Sequence, residues 1–409
     1  MIFRFILVLT FHLSASALFP LCAQPDEDRE LLRSLSEQIL ALQTKVKELE
    51  TKLDRAAAAR VPVAEVLPSR DEINAGATVT PSLSIRGYGD LGYQIRGSGD
   101  ARTAGFGLGQ VDLFVTSRLS DQFGILMETV LENDPHGESK VDLERFLVQF
   151  RQSRFLNVDA GRYHSGIGYY NTAYHHGTWF QTAASRPRMF EFEDEHDGGL
   201  LPIHNIGLYF HGELPGRQLG LRYSVEIGNG RDYRTENVQA AQDNHPGKSV
   251  NIGLSSRPRR WSGLQLGASL YRDTVSVGQG EIRQHILAAY GVYTRGRLEV
   301  LTELMDIQHR RMGESGGRLV THLPGLYSQW SYRLTGGWRP YARYEYANPS
   351  PRDPIGGRIP EGDVIRGSYV GGIRYDLTEF AAIKFEGQRI LKRSQGSETR
   401  AAVNLSFSF

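Results

Sequence analysis

Cysteine is almost absent from this chain of 409 residues, which contains only Cys22. If the N-terminal segment that carries Cys22 is removed, disulfides, thiol catalysis and thiolate metal sites are excluded. Long apolar runs are lacking after the first two dozen residues, and the mean hydropathy is −0.37, so a bundle of transmembrane helices is excluded. Charge of one sign is lacking too, because 47 basic and 46 acidic residues leave a net charge of +1, which argues against nucleic acid as a partner.

Glycine and aromatic residues are plentiful, with 45 Gly, 19 Tyr and 18 Phe, a bias that suits strands, turns and aromatic girdles. The stretch 400–409 alternates strictly, with Leu405, Phe407 and Phe409 on one face and Asn404 and Ser406 on the other. Such a strand would promote aggregation as the free edge of a soluble protein. It fits the closing strand of a barrel in lipid, where the edge is paired and the aromatic residue lies at the interface.

The same alternation continues through most of the chain. We predict sixteen strands, at 82–96, 106–119, 123–132, 141–151, 155–163, 205–214, 218–229, 248–256, 261–275, 281–294, 297–309, 325–333, 338–346, 364–377, 380–391 and 400–409. The connections between them alternate between short turns and longer loops. This rhythm is typical of an all-β, antiparallel, up-and-down outer-membrane barrel over 82–409 with both termini on the periplasmic side, whereas a Greek-key sandwich does not require it.

The N-terminal residues have the pattern of a secretion signal. A basic start, a short apolar core and small residues near Ala23 predict a signal peptide over 1–23. Cys22 could instead mark a lipoprotein, although Leu21 occupies a position where a small residue is expected. In either case the segment is too short to span a membrane as a stable helix.

A heptad pattern follows the signal. The apolar positions are spaced alternately by three and four residues: Leu32, Leu35, Ile39, Leu42, Val46, Leu49 and Leu53. They predict a periplasmic α-helical coiled coil over 28–55, since a helix docked on a globular body would have a wider apolar face. The residues at the seam favour a dimer by the usual rule. A linker without a sustained period follows at 56–81.

Charged residues in the strands are expected to line the lumen, because they are costly on the lipid face. The predicted pore-lining residues are Arg86, Asp90, Arg118, Arg222, Glu226, Arg339, Arg343, Glu345, Arg366 and Arg374. Segregated rows of opposite charge would create a transverse field across the pore, whereas interspersed pairs would only make the wall rigid. The sequence leaves both alternatives open.

The connection 164–204 is much longer than the others and too aromatic for disorder, so we expect it to fold into the barrel and narrow it. Candidate constriction residues are Arg162, Arg186, Arg188, Glu191, Glu193, Asp194, Glu195 and Asp197. Arginine forks at Arg186 and Arg188 suit carboxylate or phosphate recognition. The acidic run could attract cations, and all these charges could equally serve structural pairing.

Five histidines lie in the same segment: His164, His175, His176, His196 and His204. Imidazoles and carboxylates can form a metal site. Adjacent His175 and His176 cannot point the same way in an extended chain, and no established metal motif accompanies them, so we predict neither a metal nor another cofactor. No Ser-His-acid set is fixed by spacing, and we predict no catalytic residues.

These features together resemble the phosphate- and polyphosphate-selective porin family (porin O/P), in particular its trimeric members with a coiled coil before a sixteen-stranded barrel. The matching features are the 32–53 heptads, Gly161-Arg162-Tyr163 leading through 166–169 to Asn171, the long third loop and Phe409. The resemblance implies a homotrimer in the bacterial outer membrane that takes up small anions such as phosphate or dicarboxylates.

The sequence therefore predicts a passive porin for small hydrophilic, and in particular anionic, solutes. One alternative is a structural outer-membrane protein whose coil spaces the envelope and whose barrel is largely plugged. A remote alternative is a membrane-embedded hydrolase. The predicted partners are outer-membrane lipid, small hydrophilic solutes and two further copies of the chain.

Overall fold

The computed structural model describes the barrel region of the chain. The described residues are 82–98, 101–133, 139–174, 177–190, 200–232, 247–277, 280–312, 318–358, 365–393 and 396–409. The predicted signal peptide (1–23), coiled coil (28–55) and linker (56–81) lie outside them.

Sixteen β-strands make up almost all of the described structure. They are β1 (Ser82–Ser98), β2 (Ala101–Arg118), β3 (Phe123–Asn133), β4 (Ser139–Ser153), β5 (Leu156–His164), β6 (His204–Glu213), β7 (Leu221–Gly228), β8 (Ser249–Ser256), β9 (Leu264–Val277), β10 (Gly280–Arg295), β11 (Leu298–Met312), β12 (Arg318–Tyr332), β13 (Trp338–Ala347), β14 (Ile365–Asp376), β15 (Ala381–Lys392) and β16 (Ser397–Ser408). One helical turn, α1 (Tyr170–Ala173), and short 3-10 turns at Arg188–Phe190, Thr335–Gly337 and Gly356–Arg358 complete the elements. Within the described part of the chain, no helix has the length and apolar character needed to cross a membrane.

Every strand pairs antiparallel with its neighbours in sequence, and β1 pairs with β16 to close the barrel. The predicted all-β barrel of sixteen antiparallel strands is confirmed. At the closure Leu91 lies opposite Leu405, and Gly87 and Phe409 exchange backbone hydrogen bonds of 2.8 and 2.9 Å. A Cβ at Gly87 would lie 2.3 Å from the Phe409 ring, so glycine leaves the space that this ring occupies.

The strands present apolar side chains outward and other side chains inward, as the two-residue period requires. On β12, Trp330 is 56% exposed while its neighbours Gln329 and Ser331 are buried. On β10, Leu287 is exposed and Ile286 is fully buried. The apolar residues of the inner register concentrate on β9 to β12, where they contact the loop described below.

Strand β12 begins seven residues before its predicted start. The pair Pro324-Gly325, which is typical of a turn, lies inside this strand. The whole of β12 pairs with β11 as far as Arg318, but its ladder with β13 begins only at Gly325. Pro324 therefore lies where β12 is paired on one side, and a strand tolerates the missing N–H of proline in that position. Strand β2 likewise starts at Ala101 rather than 106.

The segment after β13 folds back over the ends of β11 and β12. The Asp353 carboxylate receives hydrogen bonds from His309 Nδ1 at 2.8 Å, from the Thr321 hydroxyl at 2.5 Å and from the Gly356 N–H at 2.6 Å. The pKa of Asp353 is lowered: burial, the largest influence, would raise it, but these hydrogen bonds and the charge of His309 outweigh burial. Asp353 therefore fixes this segment as a carboxylate.

Candidate functional site: a loop fastened inside the barrel

The described part of the chain between β5 and β6 lies inside the barrel, and we call these residues, 165–174, 177–190 and 200–203, the inner loop. Its two ends are tied together where they leave the wall: the Ser165 N–H donates to Ile203 O at 2.8 Å, and Asn171 Nδ2 donates to Ser165 O at 2.7 Å. Gly168 has φ +77°, and a Cβ there would lie 2.3 Å from Glu303. A glycine is needed at this turn for both reasons.

A buried carboxylate on β11 receives the first turn of the inner loop. Glu303 accepts the N–H groups of Tyr169 and Tyr170 at 2.7 and 2.8 Å, and the Tyr327 hydroxyl at 2.6 Å. In the same way Glu226 accepts the Gly166 N–H at 2.7 Å. Each of these buried acids gives loop N–H groups an acceptor inside the barrel, so the two acids fix the first turn of the loop against the wall.

The inner loop also packs against one side of the wall through an apolar core. The loop contributes Ile167, Tyr170, Met189, Phe190, Leu201 and Ile203, and strands β9 to β12 contribute Tyr271, Ile286, Ala288, Val292, Leu301, Met305, Ile307, Leu323 and Tyr327. Burial raises the pKa of the Tyr170 phenol well above its ordinary value, so this ring stays neutral. The lumen beside β9 to β12 is therefore filled with packed side chains.

Three basic side chains on the adjoining strands β13 to β15 hold the carbonyls of the inner loop. Arg343 donates to Ser185 O at 2.9 Å and to Arg186 O at 3.1 Å. Arg374 donates to the carbonyls of Trp179 and Gln181 at 2.6 and 2.8 Å, and its guanidinium lies 5.0 Å from the centre of the Trp179 ring. A third cation, from β15, makes the same kind of contact: Lys384 donates to Thr178 O, and to Ala183 O at 3.1 Å.

Acidic residues next to these cations bind the N–H groups of the same segment. Glu386 accepts the Ala184 N–H at 2.9 Å and the Tyr341 hydroxyl at 2.7 Å. Glu345 accepts the Arg188 N–H at 3.1 Å and pairs with Arg343 at 2.5 Å. The charges on β13 to β15 thus alternate in sign and are neutralised beneath the inner loop.

Two neighbouring cavities, which we call the passage, lie between loop residues 184–188 and strands β1, β2 and β16. Their volumes are about 550 Å³ and about 310 Å³. The charged residues that border these cavities are Asp90, Arg96, Glu132, Arg186, Arg188, Glu345, Glu386 and Arg400. Arg186 Nη2 donates to Gln110 Oε1 at 2.9 Å and so connects the loop with β2.

The predicted site residues fall into several groups. Arg343, Glu345, Arg374 and Glu226 are buried against the inner loop, and Arg339 reaches Thr182 at 3.2 Å. Asp90, Arg186 and Arg188 border the passage, Arg118 is half-buried, and Arg86, Arg222 and Arg366 are exposed. Glu191, Glu193, Asp194, Glu195 and Asp197 lie outside the described residues, as do His175, His176 and His196.

Arg162 lies in a different place from the one expected. Its position on β5 is opposite Phe146 on β4 and Ile206 on β6, which is the register of the outward, apolar side chains, and its Nε donates to Glu144 O at 3.0 Å. The sequence predicted a lumen position for Arg162 from its charge alone, without the register of β5. Tyr163 is buried on the inner face of this strand, so its neighbour Arg162 lies on the outer face.

Sequence reasoning did not select Gln110, Glu132 and Arg400 as site residues. Gln110 is neutral, so a search for charged residues passes over it. Glu132 and Arg400 lie at the ends of predicted strands, where bounds are uncertain by a few residues. The sequence signal for these three residues was their place on the polar face of an alternating strand.

The chain is a closed sixteen-stranded barrel with part of the connection between β5 and β6 folded inside. Several solved structures are similar to it in fold. They include an anion-selective porin from Comamonas acidovorans (13% identity over 81% of this chain and 100% of that one, TM-score 0.57), the outer membrane channel DcaP of Acinetobacter baumannii (8%, 81% and 99%, TM-score 0.55) and in-vitro folded OmpT of Vibrio cholerae in its trimer form (11%, 80% and 99%, TM-score 0.51). At these identities the likeness is one of fold. No protein-family model matches the chain, and no curated protein matches it in sequence.

Proposed function

We propose that this protein is a passive channel of the bacterial outer membrane for small hydrophilic solutes, with a preference for small anions such as phosphate or carboxylates. The observation that carries the proposal is the polar passage beside the inner loop. Its walls are rigid, because the loop is held by buried charges on one side and by an apolar core on the other. A fixed opening of this kind suits diffusion of solutes rather than enclosure of one ligand.

The outer surface supports a membrane location. Exposed apolar side chains are distributed around the barrel: Leu83, Ile85, Phe106, Leu108, Val141, Ile252, Leu270, Leu287, Leu304, Trp330, Tyr369 and Phe380. A soluble monomer rarely exposes so much contiguous apolar surface, whereas a lipid-facing barrel requires it.

The preference for anions rests on the charges that border the passage. Arg186 and Arg188 stand on the loop side, and the strand side carries both signs, with Asp90, Glu132, Arg96 and Arg400. The wall acids behind the loop, such as Glu345, are already neutralised by Arg343 or by backbone N–H groups. The two loop arginines therefore give the passage an excess of positive charge, which favours anions.

A homotrimer is the assembly we propose. An outer-membrane protein of similar fold has been solved in a trimer form, and the heptads at 28–55 would add a periplasmic contact between copies. Light scattering of the purified, detergent-solubilised protein would measure the number of chains. A mass of one chain at all protein concentrations would refute the trimer.

Planar-bilayer recordings test the channel. We expect discrete steps of current. In a KCl gradient, we expect a reversal potential that shows a higher permeability for chloride than for potassium. A single positive charge about 10 Å from the ion path favours chloride by about 0.4 kcal/mol in water and disfavours potassium by the same amount, which changes the chloride-to-potassium permeability ratio about fourfold. Arg186→Ala/Arg188→Ala removes two such charges and should therefore lower that ratio about 16-fold. Arg217→Ala, in an exposed turn, should leave it unchanged.

Two results would contradict the proposal. If the folded protein carried no current under any condition, the structural alternative with a plugged barrel would be favoured, since Arg186 already bridges to Gln110 across the passage. If currents appeared but the double variant and the wild type had the same chloride-to-potassium permeability ratio, the channel function would be supported and the proposed role of Arg186 and Arg188 in anion preference would be refuted.

A further inference from the structure

The wall of the barrel opens locally where the inner loop begins. The ladder between β4 and β5 ends at Phe146 and Arg162, whereas the ladder between β5 and β6 continues two residues further, to the pair His164 and His204. On β4 the register skips Glu144, which lies in a bulge between Leu143 and Arg145. Bulges redirect side chains, and this one places a carboxylate in the gap next to both imidazoles.

Three possible metal ligands meet there. Glu144, His164 and His204 each offer a ligand atom, and these atoms all lie within 4.8 Å of one another. His204 Nε2 is 2.6 Å from Glu144 Oε2, and the two imidazole rings are 5.2 Å apart. All three side chains are at most 8% exposed. Within the part of the chain that the structure describes, this is the group that satisfies the geometry of a metal site.

We propose that Glu144, His164 and His204 bind a divalent transition-metal ion, with Zn²⁺ as the preferred ion. Two imidazoles and one carboxylate form a ligand set that suits zinc and leaves a fourth position open. Ligand atoms around tetrahedral zinc are about 3.3 Å apart for bond lengths near 2.0–2.1 Å. Glu144 Oε2 and His204 Nε2 are closer than this, at 2.6 Å, and no two ligand atoms are more than 4.8 Å apart, so side-chain shifts of about 1 Å complete the site.

A second carboxylate stands behind the site. Glu128 Oε2 is 3.7 Å from His164 Nε2 and is itself held by the Arg145 guanidinium. A carboxylate next to a metal-bound histidine orients the ring and strengthens it as a ligand. Glu128 can serve this purpose, or it can occupy the fourth position.

The ion would clasp the inner loop at its base. His164 is the last residue of β5 and His204 the first of β6, so one ion joins the two ends of the loop to each other and, through Glu144, to the neighbouring strand. The proposal concerns the assembly of the loop and goes beyond the channel function. Its test does not require current through the barrel.

The experiment measures zinc directly. Protein without a histidine tag is refolded with ZnCl₂, passed over a desalting column, and analysed for zinc per folded chain, with folding verified by heat-dependent migration on gels. We expect about one zinc per chain for the wild type and a loss of at least tenfold for His164→Asn/His204→Asn. Glu144→Gln preserves size and polarity, and we expect it to reduce zinc retention at least tenfold as well. X-ray absorption should show nitrogen and oxygen ligands at about 2.0–2.2 Å, including imidazole.

Matched controls decide the location. His211→Asn removes a histidine that contacts Asp159 on the same barrel, and it should retain full zinc. His175→Asn/His176→Asn/His196→Asn removes the other histidines of the long connection, and it should also retain full zinc. The proposal is overturned if folded wild type holds less than a tenth of an equivalent, if Glu144→Gln retains all of it, or if the triple variant loses it.

Discussion

Arg343 is the side chain whose removal tests the fastening of the inner loop most directly. Its guanidinium is 4% exposed and makes five hydrogen bonds, to Ser185 O, Ser185 Oγ, Arg186 O, Gln329 Oε1 and Glu345 Oε1. Three of these reach the loop. Arg343→Ala removes them all and leaves the Glu345 carboxylate buried without its partner.

The size of the effect follows from the free-energy cost of removing one partner of a buried ion pair, which is about 3–5 kcal/mol. If this whole cost weakens the attachment of the loop, the ratio of detached to attached loop rises about 100- to 4,000-fold, since about 1.4 kcal/mol corresponds to a factor of ten. The strands should keep their pairing, because the ladders of β13 do not involve this side chain.

Two assays measure the detached state. Proteolytic cleavage within the inner loop should accelerate by about 100-fold or more when opening is fast relative to cleavage. Single-channel traces should gain open-state noise or larger conductance levels. Arg366→Ala is the matched control, because Arg366 is exposed at a bulge on β14. Cleavage rates and current traces equal to the wild type within twofold would refute the account of how the loop is held.

Three further predictions follow from contacts described above. Glu303→Gln should weaken the loop, because the carboxyl group accepts the Tyr169 N–H on one oxygen and the Tyr170 N–H on the other, whereas an amide has a single acceptor oxygen. We expect faster loop cleavage with an unchanged far-UV spectrum. The pKa of Asp353 lies below its ordinary value of 3.8, so its stabilising effect is present above that pH and is lost as the pH falls through the lowered pKa. The melting temperature should therefore drop on acidification below about pH 4, and Asp353→Asn should reduce that drop, while equal slopes for both proteins would contradict the assignment. Leu270→Arg, on the lipid-facing register of β9, should cost about 2–4 kcal/mol if it lies near the bilayer midplane, measured by urea unfolding in lipid vesicles.

The strands were predictable because the two-residue period is a local signal, and most predicted bounds lie within three residues of those observed. The fastening of the loop was not predictable. Lys384 contacts a carbonyl 206 residues earlier, and Glu303 accepts an N–H 133 residues away, so no local pattern reports these contacts. Lys384 and Glu303 belong to the charged alternation, but the sequence alone could not distinguish a side chain that faces water from one that lies beneath a loop.

Register was the other limit. Tyr163, the neighbour of Arg162, faces the lumen. A shift of one residue in the predicted register of a strand exchanges its inner and outer faces, so the sequence alone did not settle which of the two residues points inward. The bulge at Glu144 is likewise invisible in the sequence, although it decides which way that carboxylate points.

The hydrogen bonds that Arg374 and Lys384 donate to the inner loop end on main-chain oxygens. Arg374 holds the carbonyls of Trp179 and Gln181, and Lys384 holds those of Thr178 and Ala183. A main-chain oxygen is present whichever amino acid occupies the position. Substitutions at Thr178, Gln181 and Ala183 therefore keep the acceptors of these hydrogen bonds, so the inner loop can vary in sequence at these positions and still be attached to the wall.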